Sequence, residues 1–123
     1  MPDHVHLLFI LQDRLSLGQV IGKFKALTRE ALSHADAHWQ RDYFEHRLRP
    51  DDLVSAYAHY IFLNPYRANL LLRTATWPYW ECGEDASFDF LTMLENGRYP
   101  PKEWLVASAD ELDVNVDRIG EWT

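Results

Sequence analysis

Met1-Pro2-Asp3-His4-Val5-His6-Leu7-Leu8-Phe9-Ile10-Leu11 opens the chain, and the fold turns on how this stretch is read. Residues from about 4 to 11 are aliphatic and β-branched with poor alternation, which is the pattern of a mostly buried strand. Side chains alternate along a strand, so His4 and His6 are expected on one face and Val5 on the other. Their Cα atoms would lie about 6.6 Å apart, near enough for two imidazoles to share one divalent ion. A histidine pair of this spacing also reads as a surface or hydrogen-bonded pair. The run Leu7 to Leu11 is far shorter than the roughly 20 apolar residues that span a bilayer.

Outward from this strand the periodicity changes. Ser16 stands as an N-cap before Leu17, Val20, Ile21, Phe24, Leu27, Ala31 and Leu32, whose spacing predicts an amphipathic helix from 17 to about 34. Trp39 to Leu48 mixes aromatic and charged residues up to Pro50 and reads as a second strand. Pro50-Asp51-Asp52 suits the first turn of a helix that carries Leu53, Tyr57, Tyr60 and Ile61 and stops near Pro65. Asn64-Pro65 can also restart a helix through Leu72, with Asn64 as its cap. Ser87 to Leu94 reads as a short helix and Gly97 to Pro101 as a loop.

The chain has 123 residues, the size of one domain, and an ordinary globular mixture with 47% hydrophobic and 25% charged residues. Its one cysteine, Cys82, excludes an internal disulfide and a four-cysteine zinc site. With no basic patch leading into a long apolar stretch near Met1, a cytoplasmic location is expected. The net charge of −7 is unevenly spread: residues 1–73 hold nine basic and eight acidic side chains, and residues 74–123 three basic and eleven acidic. An anionic partner is therefore expected on the first part, while the acidic end repels phosphate.

Tyr60 and Asn64, on one helix, fall one turn apart on one face. A phenol with a pKa of about 10 attacks phosphorus only when the phosphate is polarised and the proton is helped away. A metal held by two imidazoles and an amide oxygen beside it would do both. The same residues also read as a half-buried helix aromatic and a cap.

Taken together, these segments resemble a known family. Met1 to Leu8, with two histidines around one hydrophobic residue, resembles the strand motif of the HUH single-strand nucleases. Tyr60-Ile61-Phe62-Leu63-Asn64-Pro65-Tyr66-Arg67-Ala68 resembles the helix motif of the REP-associated tyrosine transposases. Phe24-Lys25 and Trp39-Gln40-Arg41-Asp42-Tyr43-Phe44-Glu45 fit the same family in order and spacing. Trp77-Pro78-Tyr79 and Gly97-Arg98-Tyr99-Pro100 resemble its C-terminal segment.

The resemblance implies an α+β, ferredoxin-like antiparallel sheet with helices on one face, lacking the family's N-terminal strands in this chain. It implies a transposase domain over residues 1–104, followed by an acidic tail over 105–123. The activity implied is metal-dependent cutting and rejoining of hairpin-forming single-stranded DNA through a 5′-phosphotyrosine. By motif position Tyr60 is the nucleophile, and His4, His6 and Asn64 hold Mg²⁺ or Mn²⁺. Lys23, Lys25, Arg29 and Arg41 are expected on DNA phosphates. The open sheet edge left by the missing strands is expected to favour self-association. The alternative is a remnant that binds hairpin DNA without cutting it. A generic metal domain built on His4, His6 and one of His34, His38 or His46 is a third reading.

Overall fold

The computed structural model of the protein describes residues 1–84 and 86–106. It divides into two compact units, one formed by Met1–Leu8 with the chain from His46 onward, the other by Phe9–Glu45. Among the described residues no helix is long and apolar enough to cross a membrane.

The second unit is organised by helix α1, Leu17–His34. Its start is a capping box: the Gln19 N–H donates to Ser16 Oγ at 3.2 Å and the Ser16 N–H to Gln19 Oε1 at 2.8 Å, which satisfies two otherwise orphaned donors. Its end is a Schellman closure. Asp36 takes φ 55°, its N–H reaches Ser33 O and the Ala37 N–H reaches Leu32 O. The segment after the helix is tied to it by polar contacts. Trp39 Nε1 donates to Thr28 Oγ1 at 2.8 Å, and its ring lies 5.5 Å from that of Phe24. No residue of α1 is buried.

The first unit is built on α2, Val54–Arg67, which contributes Ala56, Tyr57, Ala58, Phe62, Leu63 and Tyr66 to a core completed by Phe90. Leu63 is wholly inaccessible. Phe90 belongs to a 3-10 turn, Asp89–Met93, and the short helix α3, Lys102–Val106, adds Trp104 and Leu105 against the same core. The Tyr66 hydroxyl donates to Ala75 O at 2.7 Å and accepts the Trp77 N–H at 3.2 Å, which fastens the aromatic turn after α2. Of the expected tail, Leu105 and Val106 lie in α3, and residues 107–123 lie outside the described residues.

Several expectations need correction. The ferredoxin-like sheet is not formed: neither residues 4–11 nor 39–48 are strands, and the described residues hold a single β-bridge, between Glu95 and Tyr99. A strand exists only through hydrogen bonds to a neighbour, and a run of good strand formers does not supply that neighbour. Leu7 to Leu11 are accordingly exposed, Ile10 to 88%. The expected sheet edge for self-association falls with the sheet, and what remains is an uncovered apolar run.

Helix α2 starts at Val54, not at Pro50, because Asp52 turns back on the preceding residues. Its carboxylate accepts the Arg49 N–H at 2.5 Å, and its own N–H donates to Arg49 O. The helix also runs through Pro65. That residue gives up one backbone donor, but it is buried, and its carbonyl accepts the Leu70 N–H in a second Schellman closure around Asn69 at φ 56°. Asn64 is therefore an interior helix residue and not a cap.

Candidate functional site

Burial of Leu63 and Pro65 on either side fixes the position of Asn64 on α2, and Asn64 meets the histidine segment. Its Nδ2 lies 3.3 Å from His6 Nε2. Although no sheet forms, the local alternation expected of residues 4–6 is present: His4 and His6 are half-buried and Val5 is 52% exposed. The two imidazole centroids lie 4.9 Å apart with their planes at 86°. Tyr60, half-buried against the core, precedes Asn64 by one helical turn. Residues four apart on a helix share a face, which puts the phenol on the Asn64 side of α2.

Burial, followed by the charges of His4 and of the N-terminal ammonium, lowers the His6 pKa to about 4. The ring is therefore neutral at pH 7, the state in which an imidazole nitrogen is a ligand. The Asn64 contact uses Nε2 as the acceptor and so implies the proton on Nδ1. A half-turn of the amide presents Oδ1 in place of Nδ2, since the two atoms differ little in shape. His4 Nδ1 is held by Asp3 Oδ1 at 2.6 Å, and this contact keeps the Asp3 carboxyl below the usual carboxylate range. Nε2 is then the ring atom His4 would offer a metal, in the carboxylate–histidine arrangement that orients many metal ligands. Two imidazole nitrogens and one amide oxygen fit a Mn²⁺ or Mg²⁺ ion that keeps open positions for phosphate oxygens. Among the described residues no group of three His, Cys, Asp or Glu side chains is placed to hold a metal.

Asp3 is not among the residues that the sequence singles out for the site. The adjacency of an acid and a histidine was the one signal for its orienting role.

The residues expected on DNA belong to the other unit and fare differently. Lys23, Arg29 and Arg41 are exposed. Lys25 is engaged: Nζ donates to the carbonyls of Gln40, Arg41 and Asp42 at 2.7, 3.2 and 3.3 Å and lies 5.8 Å from the Tyr43 ring centroid. An ammonium has three donors, so Lys25 holds the 40–42 segment in place, and a direct phosphate contact would have to displace those carbonyls. His34, one of the alternative metal ligands, lies 3.9 Å from Glu30 on the surface of α1.

Compared with known proteins, the chain matches no family model, no curated protein and no solved structure.

Proposed function

We infer that the protein is a metal-dependent tyrosine nuclease and transposase acting on hairpin-forming single-stranded DNA, with Tyr60 as nucleophile. The observation that carries this reading is the contact between Asn64 and His6, which joins two sequence motifs 58 residues apart beside His4 and one turn from Tyr60. A surface histidine pair and an interior helix asparagine have no structural need to meet.

In this reading the Tyr60 oxygen attacks the scissile phosphorus. A bond forms between phosphorus and the tyrosine oxygen, the bond to the 3′ oxygen breaks, and that oxygen leaves as a 3′-hydroxyl after taking up a proton. The phenol proton passes to solvent or to a nearby base. Rejoining is the reverse attack by a 3′-hydroxyl on the phosphotyrosine. Mn²⁺ or Mg²⁺, when bound, supplies charge neutralisation of the phosphate and helps the phenol ionise. His4, His6 and Asn64 would hold it, with Asp3 fixing the His4 ring.

Incubating the protein with Mn²⁺ and an end-labelled hairpin is expected to give a denaturation-resistant adduct on a gel. Tyr60→Phe is expected to abolish it while leaving hairpin binding and the fold intact. Adduct formation by the Phe variant would overturn the assignment.

A second reading, hairpin binding without cutting, has one observation in its favour. The histidine segment is not held in a ladder of backbone hydrogen bonds, and catalytic constellations need rigid support. Salt-sensitive hairpin binding with no adduct at any Mn²⁺ concentration would select it.

A further inference from the structure

Beside the engaged ammonium of Lys25, the Phe9–Glu45 unit contains a cleft of about 260 Å³ between α1 and the segment that follows it. Lys25, Arg29, His38, Trp39 and Arg41 line it, with no carboxylate among the described lining residues. We propose that this cleft seats one unpaired nucleotide, with the base against Trp39 and the phosphate between Arg29 and Arg41. The proposal rests on the nucleic-acid reading above for its choice of ligand, and it adds a binding subsite that the Tyr60 chemistry does not itself require.

Three features support it. First, the floor is prebuilt. Trp39 is locked by its hydrogen bond to Thr28 and by the Phe24 ring, so a stacking partner finds it already oriented. Second, the walls carry donors without internal work. Among the described residues the side chains of Arg29, His38 and Arg41 make no hydrogen bond or ion pair, and all three are exposed. Free guanidinium forks match a phosphate better than point charges do. Third, the Lys25 charge stays in the cleft even though its donors are used, so it braces the 40–42 backbone and adds to the positive field. In a duplex the base faces are already covered by neighbouring bases. Only an unpaired base can offer one to an indole, which favours a single strand over a double one.

The test uses the full chain and an oligothymidylate carrying one 4-thiothymidine. Irradiation is expected to cross-link it to the peptide containing residues 38–41. Arg29→Gln with Arg41→Gln, both exposed and neither part of the core, is expected to weaken oligothymidylate binding about tenfold or more. It should also lower the slope of log K against log salt by roughly 0.7 for each lost phosphate contact. Thymidine monophosphate is expected to compete for the cross-link at concentrations where inorganic phosphate does not. Cross-links confined to other peptides, wild-type affinity in the double variant, or equal competition by inorganic phosphate would each overturn the proposal.

The Tyr60 adduct is scored separately, on the hairpin with Mn²⁺. An adduct without the 38–41 cross-link rejects the cleft alone. The cross-link without an adduct rejects the nuclease reading alone.

Discussion

Helices α1 and α2 reach order by opposite routes. α2 carries six of the seven hydrophobic residues of the core and would lose its place without them. α1, longer and with a clean apolar stripe, buries none of its residues, and Leu27 on that stripe is 75% exposed. What holds the α1 unit is a capping box, a Schellman closure, one indole hydrogen bond and one ammonium shared by three carbonyls. Each of these is worth about 0.5 to 2 kcal/mol at most. A single buried side chain in α2 is worth more than any of them. The difference places Tyr60 and Asn64 on the element with the deeper support, and the basic cleft on the one held by surface ties.

The sharpest way to break this comparison is to remove one leucine from each helix. Leu63→Ala is expected to cost about 2 to 5 kcal/mol in denaturant unfolding, and Leu27→Ala under about 0.5 kcal/mol. Similar losses from the two would show that the α1 stripe is buried after all.

Next in size is Lys25→Ala. It removes the donors that tie residues 40–42 to α1 and is expected to cost about 1 to 2 kcal/mol within that unit. Hydrogen exchange should quicken across the 38–43 segment while the α2 amides keep their protection. Unchanged exchange would mean that Trp39 holds the segment alone.

A subtler test lies inside the α2 unit. His59 lies flat against Phe90 at 4.7 Å and edge-on to Trp104 at 4.4 Å, and its Nε2 is buried without a hydrogen-bond partner. Burial lowers its pKa. The neutral ring is therefore the folded form, and its contribution to stability is complete above about pH 6.5 and lost as the pH falls through the lower folded value. Asp89 lines the same cleft as His59 and is the one acid among its described lining residues. Acidification is expected to loosen the Phe90 and Trp104 packing, and His59→Phe to remove that part of the pH dependence. The variant retaining the full acid sensitivity would place the cause elsewhere.

Smallest is the α2 start, where Leu53 at the N-cap makes no side-chain cap hydrogen bond and is exposed. Leu53→Ser is expected to stabilise the first unit by about 0.5 to 1 kcal/mol in thermal unfolding. No gain would mean that Asp52 already satisfies that turn.

Legibility followed the range of the interactions. α1 was readable from Ser16, Gln19 and the apolar spacing, because every part of its start lies within four residues. The shared side of His4 and His6 was readable for the same reason. The sheet was not, since strand propensity in 4–11 and 39–48 says nothing about whether a partner backbone is there to pair. Pro50-Asp51-Asp52 misled because the same residues that open a helix also close a turn, and the Asp52 carboxylate bonds backwards to Arg49. Pro65 misled because the residue is buried and its carbonyl accepts the Leu70 N–H, so the helix runs on to Arg67. The meeting of Asn64 with His6 spans 58 positions and was approachable only through the resemblance. Trp39 was quoted as a motif residue, but its role as the fixed floor of a cleft depends on Thr28 and Phe24.

The measurement that bears most directly on Tyr60 is to digest the Mn²⁺-dependent hairpin adduct and locate the modified residue by mass spectrometry. A 5′-phosphotyrosine at Tyr60, lost together with metal affinity in Asn64→Ala, is the expected result. A linkage at Tyr57, Tyr66 or any other residue, or an adduct unchanged by Asn64→Ala, would contradict the site described here.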